Sequence, residues 1–226
     1  MSQVNYCTVV YERWETFKLL AESFLRLAAQ PGNETDTLWV YDWNSGGKDI
    51  YADWPGRIQF CPGNQPGHIN RAAGRSLSME CAAPPPDSLV FFVDCDMVLP
   101  VDFSERVRKW VKPGEAYFPI CYSLYRGAPM VENGNGAPWV PGPTKTNGWW
   151  RETGCGNCGF VASDLEKVGG WDAQRWGTRY GREDDDIFLR ASQTMKNLKR
   201  ERVPGFFHQW HARTKEEQNP SLRRKK

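Results

Sequence analysis

The chain has 226 residues, which suits one α/β domain whose core needs no disulfide or metal to fold. Its hydrophobic fraction of 40% and charged fraction of 25% are ordinary for a globular protein, and a net charge of +2 gives no support to nucleic-acid binding. The sequence shows neither an apolar run of about 18 residues, as a membrane span requires, nor a signal peptide. We therefore expect a cytoplasmic protein, or a fragment of a longer one, whose seven scattered cysteines are reduced thiols.

The first hundred residues alternate apolar strands with helical patterns. Residues Cys7–Tyr11, Thr37–Tyr41, Arg57–Phe60 and Ser88–Val93 are predicted strands, and residues Arg13–Ala29 and Ile69–Glu80 are predicted helices. The last strand is almost purely apolar, which is typical of a strand buried on both faces. This order predicts a doubly wound, mostly parallel α/β sheet in a single domain, with ligands bound beyond the carboxyl ends of the strands.

The stretch 125–153 differs from the first half, because it is rich in Gly, Pro and Asn and carries Trp149 and Trp150. An irregular segment of this length inside a compact domain is typical of a lid or binding loop. The 11 tryptophans of the chain indicate either stacking surfaces for a sugar or nucleotide, or simple core filling. We expect Trp149 or Trp150 to offer a ring face to a sugar.

Two carboxylates, Asp94 and Asp96, directly follow the apolar strand that ends at Val93. Two anions this close repel each other unless a positive group neutralises them. A divalent cation that also binds a diphosphate is one solution, and a merely polar strand end is the alternative. By itself this Asp-x-Asp pattern is weak, but its place after a buried strand favours a metal site.

Two further clusters lie near the C-terminus. The run Glu183–Asp186 precedes a helical pattern, and acids in a first turn favour the helix dipole. Four consecutive acids exceed that need, so one of them can serve as a general base. His208 and His211 are two of the three histidines, and on one helical turn they would face the same way as metal ligands. Ordinary surface or core histidines are the alternative.

Taken in order, these segments resemble the GT-A glycosyltransferases, and specifically the β-1,4-galactosyltransferase family. Four segments carry the resemblance: Ile69–Ala72, Phe92–Pro100, Gly169–Asp186 with its GREDDD run, and His208–Arg213 followed by Asn219-Pro220. The resemblance covers most of the chain. It implies a GT-A fold, Rossmann-like, in one domain over 1–226, with a nucleotide-binding half at 1–100 and an acceptor and metal half at 101–226.

The resemblance also implies residue roles. Asp184 would be the catalytic base; Glu183, Asp185, Trp149 and Trp150 would bind the acceptor; Asp96, His211 and His208 would bind the metal. The nucleotide-sugar site would comprise Tyr11, Glu12, Arg13, Asp42, Arg71, Asp94 and Tyr180. His208 stands where the family usually has methionine, and Tyr180 replaces a tryptophan.

The implied activity is transfer of galactose or another hexose from a UDP-sugar to an acceptor hydroxyl with inversion, dependent on Mn²⁺ or another divalent cation. The partners would be a nucleotide-sugar donor and a carbohydrate or glycoconjugate acceptor, with no nucleic acid and no membrane span. Two alternatives stay open. A nucleotidyltransferase would also place a nucleotide and metal at a strand end, and a non-catalytic carbohydrate-binding module would explain the tryptophans.

Overall fold

The structure is a computed structural model. It describes residues 2–44, 54–65, 67, 69–128, 143–144, 146–177 and 182–212, together with the backbone of 131–132 and 138–139. Of the residues singled out from the sequence, those outside the described part are Tyr180, Gly181, Arg213, Asn219 and Pro220.

The described residues form thirteen strands and six helices, each numbered in chain order. The strands are β1 (Val4–Val10), β2 (Thr37–Asp42), β3 (Ile58–Pro62), β4 (Leu89–Phe92), β5 (Met97–Val98), β6 (Glu115–Tyr117), β7 (Ile120–Leu124), β8 (Val131–Glu132), β9 (Pro138–Trp139), β10 (Gly148–Trp150), β11 (Cys158–Val161), β12 (Asn197–Lys199) and β13 (Arg202–His208). The helices are α1 (Trp14–Ala28), α2 (Arg71–Ala82), α3 (Phe103–Trp110), α4 (Ala162–Val168), α5 (Ala173–Trp176) and α6 (Glu183–Thr194).

The larger sheet has seven strands in the described residues, in the order β12-β6-β11-β4-β1-β2-β3. β1 lies between β2 and β4 and is parallel to both, and β3 extends the parallel arrangement. β11 is antiparallel to its two neighbours, β4 and β6. The prediction of a mostly parallel α/β sheet is therefore confirmed, and the antiparallel strand is the feature that the sequence pattern did not indicate.

Helices cover both faces of this sheet. Successive residues of β1 point to opposite faces, and accordingly Tyr6 packs in one core cluster with helices α1 and α3 while Cys7 packs in another with α2, α4 and α6. The apolar stripe of α1 is fully buried at Phe17, Leu20 and Phe24. The predicted first and second helices are confirmed with their ends displaced by one or two residues.

A smaller sheet of four strands, within the same described part, has the order β10-β7-β13-β5. β7 and β13 are parallel, and β5 and β10 are antiparallel to their neighbours. Residues 148–150 were expected to lie in an irregular loop, but they form β10 because Trp149 and Trp150 pair with Ser123 and Tyr122 of β7. The predicted loop 125–153 is therefore wrong at this end.

Cys61 and Cys81 form a disulfide, contrary to the expectation that all cysteines are reduced. The fold places Cys61 of β3 and Cys81 of α2 with their Cα atoms 6.4 Å apart, which is within disulfide reach. Disulfides persist mainly in oxidising compartments, so this pair argues against the cytoplasmic expectation. Cys155 and Cys158 are buried free thiols, in keeping with the expectation of reduced cysteines. In the described residues, no helix combines the length and apolarity that a membrane span requires.

Candidate active site at the junction of the two sheets

The chain passes from the larger sheet to the smaller one across Asp94, Cys95 and Asp96. β4 ends just before this segment and β5 begins just after it. The N–H of Met97 donates to the carbonyl of Asp94 at 3.2 Å, which closes the turn. Asp94 and Asp96 contact different groups on either side of this turn, so the motif supplies two separate clusters.

Asp96 lies at the centre of the first cluster and is 8% exposed. Its Oδ2 is 3.1 Å from Nε2 of His211, and its Oδ1 is 3.6 Å from Nε2 of His208. Burial by itself would raise the pKa of Asp96, but His208, His211 and Arg13 outweigh burial and hold that pKa well below its ordinary value. The structure therefore brings together the three residues expected to bind a metal.

The two histidines reach Asp96 by a route that differs from the expected helical turn. His208 is the last residue of β13, paired with both Met97 of β5 and Ser123 of β7, and His211 lies in the segment that follows. The buried side chain of Gln209 fixes that segment by donating to the carbonyl of Thr16 at 2.9 Å. The two histidines therefore approach Asp96 because of the strand pairing of β13 and the hydrogen bond of Gln209, and not because of helical spacing.

The outward-facing nitrogens of both imidazoles also have partners. Nδ1 of His211 is 3.1 Å from the carbonyl of Ala212, which can only accept, so this nitrogen carries the proton. Nδ1 of His208 is 3.2 Å from Oγ of Ser123, and Arg151 donates to the same oxygen at 3.2 Å. Such partners orient the rings and leave Nε2 of each histidine directed at Asp96.

The cluster fits a divalent cation. One ligand atom from each of Asp96, His208 and His211 lies within 4.8 Å of the other two, and ligand atoms around one ion are roughly 3–4 Å apart. Oδ1 of Asp96 is buried and has no hydrogen-bond donor in the structure, so a cation beside it would satisfy it. Imidazole with a carboxylate suits Mn²⁺, Fe²⁺ or Zn²⁺.

Asp94 belongs to the second cluster, which is centred on Arg75. The guanidinium of Arg75 is 4% exposed, donates to Oδ1 of Asp94 at 2.6 Å, and lies 3.7 Å from a carboxylate oxygen of Glu183. It also lies over the ring of Trp171, 4.4 Å from its centroid. A Cβ at Gly156 would come within 2.6 Å of the guanidinium, so glycine is what leaves room for it. Arg75 therefore joins the Asp-x-Asp turn to the start of α6.

The four acids at the start of α6 divide into two kinds. Glu183 and Asp186 are buried and pair with arginines, Glu183 with Arg75, and Asp186 with Arg175 and Arg190. Burial raises the pKa of Glu183 although Arg75 opposes the shift. Glu183 was expected to bind the acceptor, but the structure directs its carboxylate into the interior instead.

Asp184 and Asp185 remain outside these buried pairs. Asp184 is half-buried, and its Oδ1 accepts from the backbone N–H of Asp185 at 3.0 Å. Its charge raises the pKa of both Arg75 and Glu183, so Asp184 lies within electrostatic reach of that pair, whereas Asp185 is exposed. Asp184 is therefore the acid of this run that borders the Arg75 cluster.

The residues expected at the nucleotide occupy varied positions. Arg13 donates from Nη1 to Oδ2 of Asp96 at 3.0 Å, and Glu12 is exposed with a φ of 54°. Both line a cavity of about 330 Å³ that His211 also borders. Tyr11, next to them, is half-buried. This group lies at the carboxyl end of β1, as the sheet rule anticipates.

Two other nucleotide-site candidates lie near strand and helix ends. Arg71 is the first residue of α2 and follows Asn70, whose side chain accepts from the N–H of Ala73 at 2.9 Å and caps the helix. Asp42 ends β2 but is fully buried, so its carboxylate is not open to a ribose in this structure.

Trp149 and Trp150 point to opposite faces of β10. Trp149 is 45% exposed, with the guanidinium of Arg151 5.8 Å from its ring centroid. Trp150 packs edge-on against Tyr122, with ring centroids 5.3 Å apart. Only Trp149 therefore presents an open ring face, and the ring of Trp150 is docked on the core of the small sheet.

Sequence reasoning missed three residues of the site: Arg75, Asn157 and Ser123. Asn157 accepts from the backbone N–H of Asp94 at 2.9 Å through Oδ1 and fixes the turn. Arg75 carried a usable signal, because it lies four residues after Arg71 on the predicted helix and therefore on the same face. Ser123 is the single hydroxyl-bearing side chain that faces His208 from the buried strand β7, and no local pattern indicates that contact.

A comparison with protein families matches residues 50–226 to the family described as chondroitin N-acetylgalactosaminyltransferase. The chain belongs to this family. The match includes Asp94, Asp96, the acidic run and both histidines. The expectation of a glycosyltransferase is thereby confirmed, while the sugar in the family's description is N-acetylgalactosamine and not galactose.

The curated relatives that this chain matches are much longer proteins. One is mouse N-acetyl-beta-glucosaminyl-glycoprotein 4-beta-N-acetylgalactosaminyltransferase 1, 28% identical over 148 residues, which are 65% of this chain and 13% of the relative. Another is mouse chondroitin sulfate N-acetylgalactosaminyltransferase 2, 32% identical over 127 residues, which are 54% of this chain and 23% of the relative. The chain thus spans under a quarter of these two relatives.

Solved structures with the same fold include GT-A glycosyltransferases. The S. aureus protein TarS, residues 1–349, in complex with UDP-GlcNAc has a TM-score of 0.63 at 14% identity, over 95% of this chain and 60% of that one. GalNAc-T7 with UDP, GalNAc and Mn²⁺ has a TM-score of 0.60 at 14% identity, over 93% of this chain and 44% of that one. The predicted GT-A fold is confirmed.

Proposed function

We propose that this chain is a catalytic domain that transfers N-acetylgalactosamine from UDP-N-acetylgalactosamine to a hydroxyl of a carbohydrate acceptor, with inversion. The observation that carries the proposal is the convergence of Asp96, His208 and His211 at the junction of the two sheets. Arg75 links this junction to the acidic start of α6, so metal ligands and a candidate base border one region. We also propose that residues 1–226 form a single domain.

The choice of N-acetylgalactosamine replaces the earlier expectation of galactose. Both the family description and the relatives name N-acetylgalactosaminyltransferases, and the GT-A structures of similar fold include complexes with UDP and UDP-GlcNAc. The relatives' names point to two acceptor classes, a chondroitin chain and a glycoprotein sugar ending in N-acetylglucosamine. Both acceptors offer a carbohydrate hydroxyl, so we propose a glycan or glycoconjugate acceptor.

Asp96, His208 and His211 would hold the divalent cation, for which we propose Mn²⁺. The bound cation would neutralise charge on the departing UDP, a Lewis-acid role that lowers the barrier without proton transfer. The side chains of Ser123 and Gln209 keep the two histidines in place, and Arg13, Arg71 and Asp94 lie where they can orient the donor. Tyr11, Glu12, Asp42 and Tyr180 complete the proposed donor-site residues.

Asp184 is the proposed general base, which would accept the proton of the acceptor hydroxyl as that oxygen attacks the anomeric carbon. Glu183 and Asp186 are engaged with arginines in the interior, whereas Asp184 and Asp185 are less buried. Asp184 borders the Arg75 cluster, and Asp185 faces outward. We therefore propose Asp185 and Trp149 for acceptor binding, with Glu183 and Trp150 supporting them from the interior.

The test is an assay of UDP release from UDP-N-acetylgalactosamine and UDP-galactose, with Mn²⁺ and a panel of glycan acceptors. Acceptor-dependent UDP release with N-acetylgalactosamine as the better donor is the expected result. Release of pyrophosphate from a nucleoside triphosphate would instead indicate a nucleotidyltransferase. Glycan binding without any release of UDP would indicate a carbohydrate-binding module.

The role of Asp184 has its own test, with Asp185 as the matched control. Asp184→Asn preserves shape and removes the basic oxygen, so kcat should fall about 10²-fold or more while the Kd for UDP stays nearly constant. Asp185→Asn should act mainly on the acceptor KM. If Asp185→Asn abolishes turnover while Asp184→Asn retains it, the base is Asp185 and the assignment is wrong by one residue.

A further inference from the structure

Arg13 contacts the carboxylate oxygen that a metal ion would need. Its Nη1 lies 3.0 Å from Oδ2 of Asp96, and both side chains are 11% exposed. His211 approaches the same oxygen at 3.1 Å. One oxygen of Asp96 is thus shared by a permanently charged guanidinium and a metal-ligating imidazole.

The charges around Asp96 disfavour a free cation. The proposed ligand set contributes one negative charge, from Asp96, because neutral imidazole is the ligating form of histidine. Arg13 already balances that charge, and Arg151 lies one hydroxyl away from His208, through Ser123. A divalent cation at these ligands would therefore gain little from the charge of Asp96, and it would repel the guanidinium that contacts its own ligand, while Glu12 and Glu15 lie on the wall of the adjoining cavity.

Arg13 has a second position available to it. The backbone at Arg13 is fixed at the start of α1, where its carbonyl accepts from the N–H of Phe17 and from the hydroxyl of Thr16, both at 3.0 Å. The side chain lines the cavity of about 330 Å³ beside His211. A diphosphate in this cavity would offer the guanidinium two oxygens in place of Asp96, and arginine pairs well with phosphate oxygens.

We propose that Arg13 couples the binding of the divalent cation to the binding of the nucleoside diphosphate. Paired with Asp96, Arg13 weakens binding of the cation alone; paired with the diphosphate, it releases Asp96 to the cation. The cation and the nucleotide then raise each other's affinity by the same factor, as thermodynamic linkage requires. This inference rests on the proposed metal and nucleotide sites, and it adds a specific source for their cooperation.

The experiment measures Mn²⁺ binding to the full chain by electron paramagnetic resonance, with and without saturating UDP. Arg13→Met should lower the Kd for Mn²⁺ alone by about tenfold, a change of about 1.4 kcal/mol. The ratio of the Kd without UDP to the Kd with UDP should fall by a similar factor. Arg13→Gln keeps a hydrogen-bond donor for Asp96 but removes the charge, so it should change both quantities in the same direction. It replaces Arg13→Met in the experiment if that variant does not fold. Arg106→Met is the matched control, because Arg106 is a basic residue of α3 that pairs with Asp102 and does not line the cavity.

The outcomes separate this inference from the function on which it rests. An unchanged ratio of Kd values in both Arg13 variants, or weaker binding of Mn²⁺ alone, would overturn the role of Arg13 and leave the metal site intact. His211→Ala reports on the metal site itself, where loss of Mn²⁺ binding is expected. If His211→Ala binds Mn²⁺ as the unaltered chain does, the proposed site is wrong, and the role of Arg13 is overturned with it.

Discussion

Asp94 and Asp96 are two residues apart, yet their surroundings have little in common. Asp94 ends the larger sheet and is held by Arg75 and by Asn157, in a cluster that also includes Glu183. Asp96 begins the smaller sheet, where one arginine and two histidines surround it and one oxygen lacks a hydrogen-bond donor. The carboxylate of Asp94 is paired within the protein and 33% exposed, whereas one oxygen of Asp96 has no donor among the described residues and retains capacity for a cation.

This difference shows how a single Asp-x-Asp motif can serve structure and chemistry together. The chain changes sheets within the motif, so alternate side chains reach different layers of the molecule. Asp94, through Arg75, fixes the start of α6 relative to the turn. Asp96 is left to meet the ends of β13 and α1. Three substitutions can break or sharpen this division of roles.

The largest expected effect is on stability, at the Asp94 cluster. Arg75→Met would remove the guanidinium that pairs with the buried carboxylate of Glu183 and the partly buried one of Asp94, and breaking such a pair costs about 3–5 kcal/mol. At about 2–4 °C per kcal/mol for a chain of this size, Tm should fall by roughly 6–20 °C. Denaturant unfolding and calorimetry would measure both quantities.

Lys18→Met supplies the control for Arg75→Met, because Lys18 pairs with Glu15 at the surface and such pairs contribute under about 1 kcal/mol. Adding Glu183→Gln to Arg75→Met should recover part of the lost stability, since it removes one unpaired charge. If Arg75→Met is as stable as the control variant, Arg75 does not hold the turn at Asp94 and the start of α6 together.

The sequence predicted the larger sheet well and the smaller sheet poorly, for a physical reason. The apolar strands and amphipathic helices of the first hundred residues carry strong local signals, and their parallel order follows from chain connectivity. β5, β10 and β13 are short or pair with distant segments, and β13 lies about a hundred residues after its partner β5, so no local pattern indicates the pairing.

The same distinction applies to the candidate site. Asp96, His208 and His211 were found from residue type and a family resemblance, because metal ligands belong to few residue types. Arg75 was missed, since its role depends on a buried pair with Glu183, 108 positions away, that only the folded chain brings together. The exact place of Glu183 was also missed, because four consecutive acids look alike until burial divides them.

The second effect is on metal binding, and it compares the two aspartates directly. Asp96→Asn should abolish Mn²⁺ binding and lower kcat/KM by about a hundredfold or more, because the cation contributes several kcal/mol to such reactions. Its free energy of unfolding should also fall, by about 1–3 kcal/mol, because the low pKa of Asp96 means that its ionised form is stabilised in the folded protein.

Asp94→Asn should leave metal binding intact. It removes the charge that faces the buried Arg75, so the free energy of unfolding should fall by about 1–3 kcal/mol while Mn²⁺ still binds. Titration of Mn²⁺ and urea unfolding of both variants decide the matter. If a folded Asp94→Asn variant loses Mn²⁺ as completely as Asp96→Asn does, the two carboxylates share one function and the division of roles is wrong.

The smallest expected effect concerns Trp149 and Trp150, a second pair of neighbours with unlike surroundings. Trp149 has an open ring face, and its strand position lies opposite Ser123, the residue that contacts His208. Sugar C–H groups pack on such faces, and loss of one aromatic contact of this kind is worth about 1 kcal/mol. Trp149→Ala should therefore raise the acceptor KM about fivefold to tenfold at nearly constant kcat and stability.

Trp150→Ala should instead lower the free energy of unfolding by roughly 2 kcal/mol, because its ring packs on Tyr122 and under the guanidinium of Arg202. Steady-state kinetics with varied acceptor, beside urea unfolding, separate the two. A Trp149→Ala variant with unchanged acceptor KM would place the acceptor elsewhere, and the open face of β10 would then have no part in sugar binding.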